Sequence, residues 1–239
     1  PQSNTYIAQK IKFGQKIGAI VEHIKFPENV TAEELISNLL TLNANPLIHG
    51  IIVQLPIPDH LDKDEIINTI DPPKDVDGQT ATNIKFLFEG KTEGYTPATT
   101  RGILTLLDHY KIPIVGKHVV VVGRSSLVGK PTALAFLNRN ATVTVCHSKT
   151  KNLKRETRNA DILVVAAGKP KLITKEHVSK NQVVVDVGIN VINNKLVGDV
   201  DFDQVSKVIA AISPVPGGCG PMTVASLFEN LLEAYSRQT

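Results

Sequence analysis

The stretch Val119–Pro131, VVVVGRSSLVGKP, decides the fold. Four consecutive valines predict a strand buried on both faces, because a strand with one wet face alternates apolar and polar residues. Gly123 follows where the chain must turn sharply. Ser125 stands where a G-x-G-x-x-G pattern has its second glycine, and Gly129 comes later than its third. The next strand, Thr142–Cys146, runs into His147, Ser148, Lys149 and Lys151. An acidic residue there would hold the ribose diol of NAD, and none is present. Arg124, Ser148 and the lysines instead offer partners to a 2'-phosphate. The pattern predicts an NADP site on a βαβ unit; a buried βαβ unit with an incidental glycine turn is the alternative.

Outward from this stretch, further strands are expected near Ile162–Val165 and Val183–Val187, alternating with helices from Gly116 onward. That rhythm predicts a parallel, doubly wound sheet. Upstream, apolar positions at Ile7, Ile11 and Ile17 predict a helix over 4–17, stopped at Gly18. Thr31 and Glu34 form a capping box before the stripe Leu35, Ile36, Leu39, Leu40. Leu47–Leu55 reads as a buried strand closed by Pro56 and Pro58, and Asp62–Ile70 as a short helix. Asp71–Gly94 reads as loop-rich. Pro97 then opens a helix to about Tyr110, and an amphipathic helix over Met222–Tyr235 closes the chain. The domain boundary falls in the Gly90–Tyr95 loop.

Composition narrows the function classes. The 239 residues are 42% hydrophobic, enough for an ordinary core, and a net charge of +3 argues for neither nucleic acid nor a membrane surface as partner. No apolar run approaches the roughly 18 residues of a spanning helix. No signal peptide opens the sequence, and Cys146 and Cys219 are too few for a disulfide framework or a zinc site. A reducing, cytoplasmic setting and no bound metal are expected.

Several residues outside the glycine turn suggest chemistry. Tyr6 and Lys10, four apart on the first helix, share a face. The spacing Tyr-x-x-x-Lys also marks short-chain dehydrogenases, but there it follows the cofactor turn, whereas here it precedes Gly123 by more than a hundred residues. Gln54 ends an apolar run, where a polar side chain either faces a ligand cleft or points to water. Asp75 and Asp77 flank Val76; if extended they point to opposite sides, and Asp77-Gly78 equally suits a plain turn. Pro216-Gly217-Gly218-Cys219-Gly220-Pro221 is a loop whose backbone can approach a ligand closely, or simply a sharp turn. His147 reads as a strand-end residue without a catalytic role.

Seven segments occur in one order: SNTYIAQK (3–10), GIIVQLPIP (50–58), PKDVDG (73–78), VVGRSSLVGKP (121–131), DVGIN (186–190), VGDV (197–200) and PVPGGCGPMT (214–223). Together they resemble the bifunctional methylenetetrahydrofolate dehydrogenase/methenyltetrahydrofolate cyclohydrolase family over essentially the whole chain. The resemblance implies a two-domain α/β enzyme, with a folate-binding catalytic domain over 1–94 and a Rossmann-like NADP-binding domain over 95–239. Its last helix, 222–239, would pack back on the first domain. It implies NADP-dependent oxidation of 5,10-methylenetetrahydrofolate and hydrolysis of the product to 10-formyltetrahydrofolate, tetrahydrofolate derivatives as ligands, and a homodimer.

By the same resemblance Lys10 carries protons, Gln54 orients it, Tyr6 offers the pterin a flat aromatic face, and Asp77 takes the pterin N–H and amine. Ser3, Val53, Leu55, Pro216, Gly217 and Gly218 line the substrate. Gly123, Arg124, Ser125, Gly129, Ser148 and Ile189 hold the cofactor. Three departures stand out. In the family a helix and a strand precede the Ser-x-x-Tyr segment; here the sequence begins almost on it, so either it is trimmed or the first domain lacks a strand that would cover its sheet. Pro-Cys-Thr-Pro is replaced by Pro97-Ala98-Thr99-Thr100, and Cys219 replaces a valine. Neither replacement removes an acid–base group, so tuning is expected. Two rivals remain: another Rossmann-type NADP oxidoreductase, and a non-catalytic NADP-binding module with an incomplete first domain.

Overall fold

The computed structural model describes residues 2–193 and 195–239, with side chains from residue 7 onward. The chain forms two compact units, Pro1–Ala98 with Val224–Thr239, and Thr99–Thr223.

The first unit is helical. Helix α1 (Gln2–Ile17) ends at Gly18, whose φ of +81° favours glycine. Helix α2 (Ala32–Ala44) carries the expected capping box: Thr31 Oγ1 accepts from Glu34 N, and Glu34 Oε2 accepts from Thr31 N. Asp62 caps α3 (Lys63–Asn68) by accepting from the amides of Asp64 and Glu65. Val30, Leu35, Leu39, Ile51, Leu61, Ile66 and Ile70 form one core cluster.

The structure departs from the sequence reading at two places here. Residues 47–55 do not form a strand; Ile51 makes a single parallel bridge with Asp75, its N–H donating to Lys74 O at 2.7 Å. The facing segment coils into a 3-10 turn (Pro72–Lys74), so the two backbones run in register at one point only. The loop-rich stretch 71–94 also holds a helix that the sequence reading did not place. Thr80 caps helix α4 (Ala81–Glu89) by accepting from Asn83 N, and Gly90 ends it in the left-handed conformation at φ +69°. Both caps are visible in the sequence.

Helix α5 (Ala98–His109) leads into the second unit, followed by β1 (His118–Val122), α6 (Gly129–Asn138), β2 (Thr142–Cys146), α7 (Leu153–Arg158), β3 (Ile162–Val165) and β4 (Val183–Asp186). The chain continues through the antiparallel hairpin β5 (Asn190–Ile192) and β6 (Lys195–Val197), which the sequence reading missed, then α8 (Phe202–Val205), β7 (Ala211–Ile212) and α9 (Cys219–Gln238). The sheet is parallel throughout, in order β2-β1-β3-β4-β7. Alternate residues of β1 enter separate cores: Val119 and Val121 with Ile162 and Val164, Val120 and Val122 with Leu163 and Val165. This two-sided burial is what the valine run encodes.

At the carboxyl edge Val122, Cys146, Val165 and Asp186 lie in register. Strand order reverses between β1 and β3, where ligands of open α/β sheets bind. Gly123, at φ +133°, leaves β1 so close to β3 that an added Cβ would sit 2.1 Å from Ala166 O. Gly123→Ala is expected to cost about 2–4 kcal/mol, read as a fall in the denaturation midpoint; an unchanged midpoint would show that the turn relaxes freely.

Candidate active site

Helix α1 delivers Lys10 to Gln54. The Lys10 Nζ donates to Gln54 Oε1 at 2.9 Å, while Gln54 Nε2 donates to Leu55 O at 3.0 Å. The second bond fixes the amide so that its oxygen faces the ammonium. Burial lowers the Lys10 pKa below its usual value, against the raising influence of the Asp77 charge. Burial in turn pushes the Asp77 carboxyl up to about 7, with Lys10 opposing and Asp75 reinforcing. Val53, Leu55 and Asp77 line one concavity with Ile52 and Gln79, which the sequence reading did not select. Ser3 and Tyr6 lie on α1, and their side chains fall outside the described residues.

The turn carrying Asp77 is held from every side. Asp75 is buried and spends one oxygen on Thr80 N (2.7 Å) and Asn83 Nδ2 (2.9 Å). Asn230 Nδ2, on α9, donates to Val76 O at 2.8 Å and to Thr96 O at 3.0 Å. Ala98 N reaches Asp77 O at 3.3 Å. Gly78 adopts φ +68°, and a Cβ there would meet Tyr95 O at 2.6 Å. Lys74, also buried, ties the segment to the end of α2 by donating to Asn43 O (2.6 Å) and Asn45 O (2.7 Å). Helix α9 also seats α1, through the Phe13 and Phe228 rings 5.1 Å apart. One helix thus supports both the amine and the carboxylate. Sequence reasoning missed Asn83 and Asn230; Asn83 had a local signal, three residues after the cap Thr80, whereas Asn230 acts across 154 positions.

The second unit holds the glycine turn. Ser125 Oγ accepts from Val128 N (3.2 Å) and Gly129 N (3.3 Å), closing the loop onto α6. Gly129 packs on the strand exit, where an added Cβ would lie 2.4 Å from Gly123 O. Arg124 and Ser148 are exposed. His147 Nδ1 accepts from Lys149 N, and the His147 backbone N–H donates to Thr150 Oγ1, so the residue serves the turn after β2. Ile189 is partly exposed between β4 and β5. In the loop before α9, Pro216 and Gly217 are exposed and Gly218 packs against Pro214 O. Cys219 lies in the core with Ile103 and Leu107, its thiol pushed up to about 12 by burial, so it packs as an apolar side chain. The Thr100 hydroxyl is satisfied by Thr132 Oγ1 at 3.1 Å.

Residues 1–77 match the catalytic-domain model of tetrahydrofolate dehydrogenase/cyclohydrolase, and residues 97–239 match the NAD(P)-binding-domain model of the same enzymes. The chain is 50% identical to the bifunctional protein FolD of Sulfurihydrogenibium sp., over all of this chain and 84% of that one. It is 48% identical to FolD of Exiguobacterium sibiricum, over 98% and 84%. The crystal structure of the Campylobacter jejuni FolD methylenetetrahydrofolate dehydrogenase/cyclohydrolase superposes with a TM-score of 0.98 at 44% identity, covering 100% of this chain and 85% of that one. The chain belongs to the tetrahydrofolate dehydrogenase/cyclohydrolase family.

As a family member it is a bifunctional enzyme: it oxidises 5,10-methylenetetrahydrofolate to the methenyl form and hydrolyses that product to 10-formyltetrahydrofolate. The sheet of the second unit falls within its NAD(P)-binding domain. No described helix is long and apolar enough to cross a membrane.

The raised Asp77 pKa carries a sign for stability. Between pH 4 and 7 the folded chain keeps a proton that the unfolded chain releases, so this group lowers stability as pH rises through that window. In thermal melts across pH, Asp77→Asn is expected to gain on the wild type from pH 4 to 7, with a flat difference above. A difference constant with pH would mean an ordinary carboxylate.

Proposed function

We propose that Lys10 is the proton carrier of the cyclohydrolase step and that the nucleotide used is NADP. The first part rests on the Lys10–Gln54 contact beside Asp77. The oxygen of water bonds to the methenyl carbon as the neutral amine of Lys10 takes one of its protons. As the carbon–nitrogen bond of the adduct breaks, Lys10 returns a proton to the departing ring nitrogen, and the hydroxyl proton is released as the formyl group forms. A carrier for this task titrates nearer neutrality than an ordinary lysine, which burial favours. Gln54 aligns the amine without adding charge, and Asp77 accepts the pterin N–H and amine. Val53 and Leu55 give the pterin an apolar wall. Ser3 and Tyr6 are assigned to the substrate through their motif, with Tyr6 stacking on the pterin, and so are Pro216, Gly217 and Gly218.

NADP preference rests on the end of β2, where Ser148, Lys149 and Lys151 stand in place of a carboxylate, with Arg124 exposed on the neighbouring turn. The FolD enzyme of Trypanosoma brucei, 37% identical with a TM-score of 0.94 over 99% of this chain and 83% of that one, was crystallised with NADP cofactor and an inhibitor. The close approach of Gly123 to Ala166 and of Gly129 to Gly123 leaves bare backbone at the switch point, as a dinucleotide requires. Gly123, Arg124, Ser125, Gly129, Ser148 and Ile189 would hold it. When bound, NADP supplies a hydride acceptor for the methylene carbon. We assign 1–94 to the folate-binding domain and 95–239 to the nucleotide domain, whose closing helix packs back on the first. We further propose a homodimer, which the family resemblance implies, and a reducing, cytoplasmic setting, which two free, buried cysteines fit.

Lys10→Met is expected to slow methenyl hydrolysis by on the order of 100-fold or more, while methylene oxidation, which needs no proton transfer, falls far less; unchanged hydrolysis would remove Lys10 from the mechanism. Ser148→Asp is expected to weaken NADP binding by on the order of tenfold relative to NAD, about 1.4 kcal/mol. An unaltered NADP-to-NAD ratio would refute the 2'-phosphate assignment.

A further inference from the structure

The motifs DVGIN and VGDV contain two buried carboxylates that the reaction above does not use. Asp199 is fully buried and Asp186 is 3% exposed. Asp186 ends β4; its Oδ1 accepts from Gly188 N (3.0 Å) and Asp199 N (3.0 Å), and its Oδ2 from Val200 N (2.9 Å). Asp199 reaches onward. Its Oδ2 accepts from Ala167 N (2.7 Å) and Gly168 N (2.8 Å), just beyond β3, and its Oδ1 from Asn190 Nδ2 (2.8 Å), at the start of β5.

The glycines of both motifs are set by these contacts. A Cβ on Gly188 would lie 2.3 Å from Asp199 Cγ, and one on Gly198 would lie 1.8 Å from Asp186 Oδ2. All the bonds described for the pair come from neutral N–H donors. Two buried carboxylates with no ion pair to a cation among the described residues are a poor device for stability alone, since apolar side chains fill such positions without the desolvation cost.

Their location suggests the purpose. Asp199 fixes the exit of β3 directly after Ala166, the residue that faces Gly123 across the switch point, and links it to the exit of β4 around Ile189. We propose that Asp199, braced by Asp186, is a positioning residue for the nicotinamide dinucleotide, acting through the backbone of 167–168 and the side chain of Asn190, while Asp186 holds the Gly188 N–H. This rests on the assignment of NADP to the second domain.

The test is Asp199→Asn, with equilibrium NADP binding by titration calorimetry and, separately, hydrolysis of methenyltetrahydrofolate without nucleotide. The expected result is a rise of about tenfold in the NADP Kd with nucleotide-free hydrolysis within about twofold of wild type. An unchanged Kd overturns the proposal, as does parallel loss of binding and hydrolysis. If Asp199→Asn fails to fold, Asn190→Ala removes one arm of the clamp: a Kd raised about threefold supports the role, and an unchanged Kd overturns it. A wild-type enzyme that does not bind NADP instead fails the underlying assignment, so the two failures are distinguishable.

Discussion

A single ammonium group, drawn out of water and pointed at an amide oxygen, is the constraint around which the first unit is organised. Lys10 sits 2.9 Å from Gln54, whose own N–H is already committed to Leu55 O. Burial lowers the affinity of this amine for its proton, and the nearby Asp77 restores part of it. The opposing effects are separately controlled: the first by packing around α1, the second by where the 75–78 turn puts a carboxylate. The proton-carrying role proposed for this amine needs both elements held still, because moving either charge changes the balance.

That rigidity comes from the far end of the chain. Helix α9 seats α1 through Phe228 and ties down Val76 through Asn230. Asp75, adjacent to the same peptide, is spent on Thr80 and Asn83 and leaves Asp77 as the carboxylate beside the amine. The second unit uses the same device at its own site. There Asp186 and Asp199 accept from backbone N–H groups just beyond β3, β4 and β6. In both units buried acidic side chains organise main chain: Asp75 in the first, Asp186 and Asp199 in the second.

The parts legible in the sequence are those with local causes. The valine run announced a two-sided parallel strand, Thr31 with Glu34 a helix start, and the absence of a carboxylate after β2 a nucleotide preference to be tested. Lys10 and Gln54 stood out through motif order; their contact across 44 positions did not follow from spacing. Residues 47–55 misled because apolar composition signals burial as readily as pairing, and the partner segment coils after one bridge. Helix α4 was overlooked although Thr80 and Gly90 marked both its ends, because the surrounding turns dominated the reading. Asn230 and Asp199 could not be found locally, since each serves backbone groups far away in sequence.

The most direct measurement is the titration of Lys10 itself, followed by NMR of its side-chain Cε and Nζ resonances in the wild type and in Asp77→Asn. Burial opposed by an adjacent carboxylate requires a pKa below 10.5 in the wild type and lower still once the carboxylate is gone. An ordinary lysine pKa, indifferent to the change at Asp77, would contradict the role given to this amine.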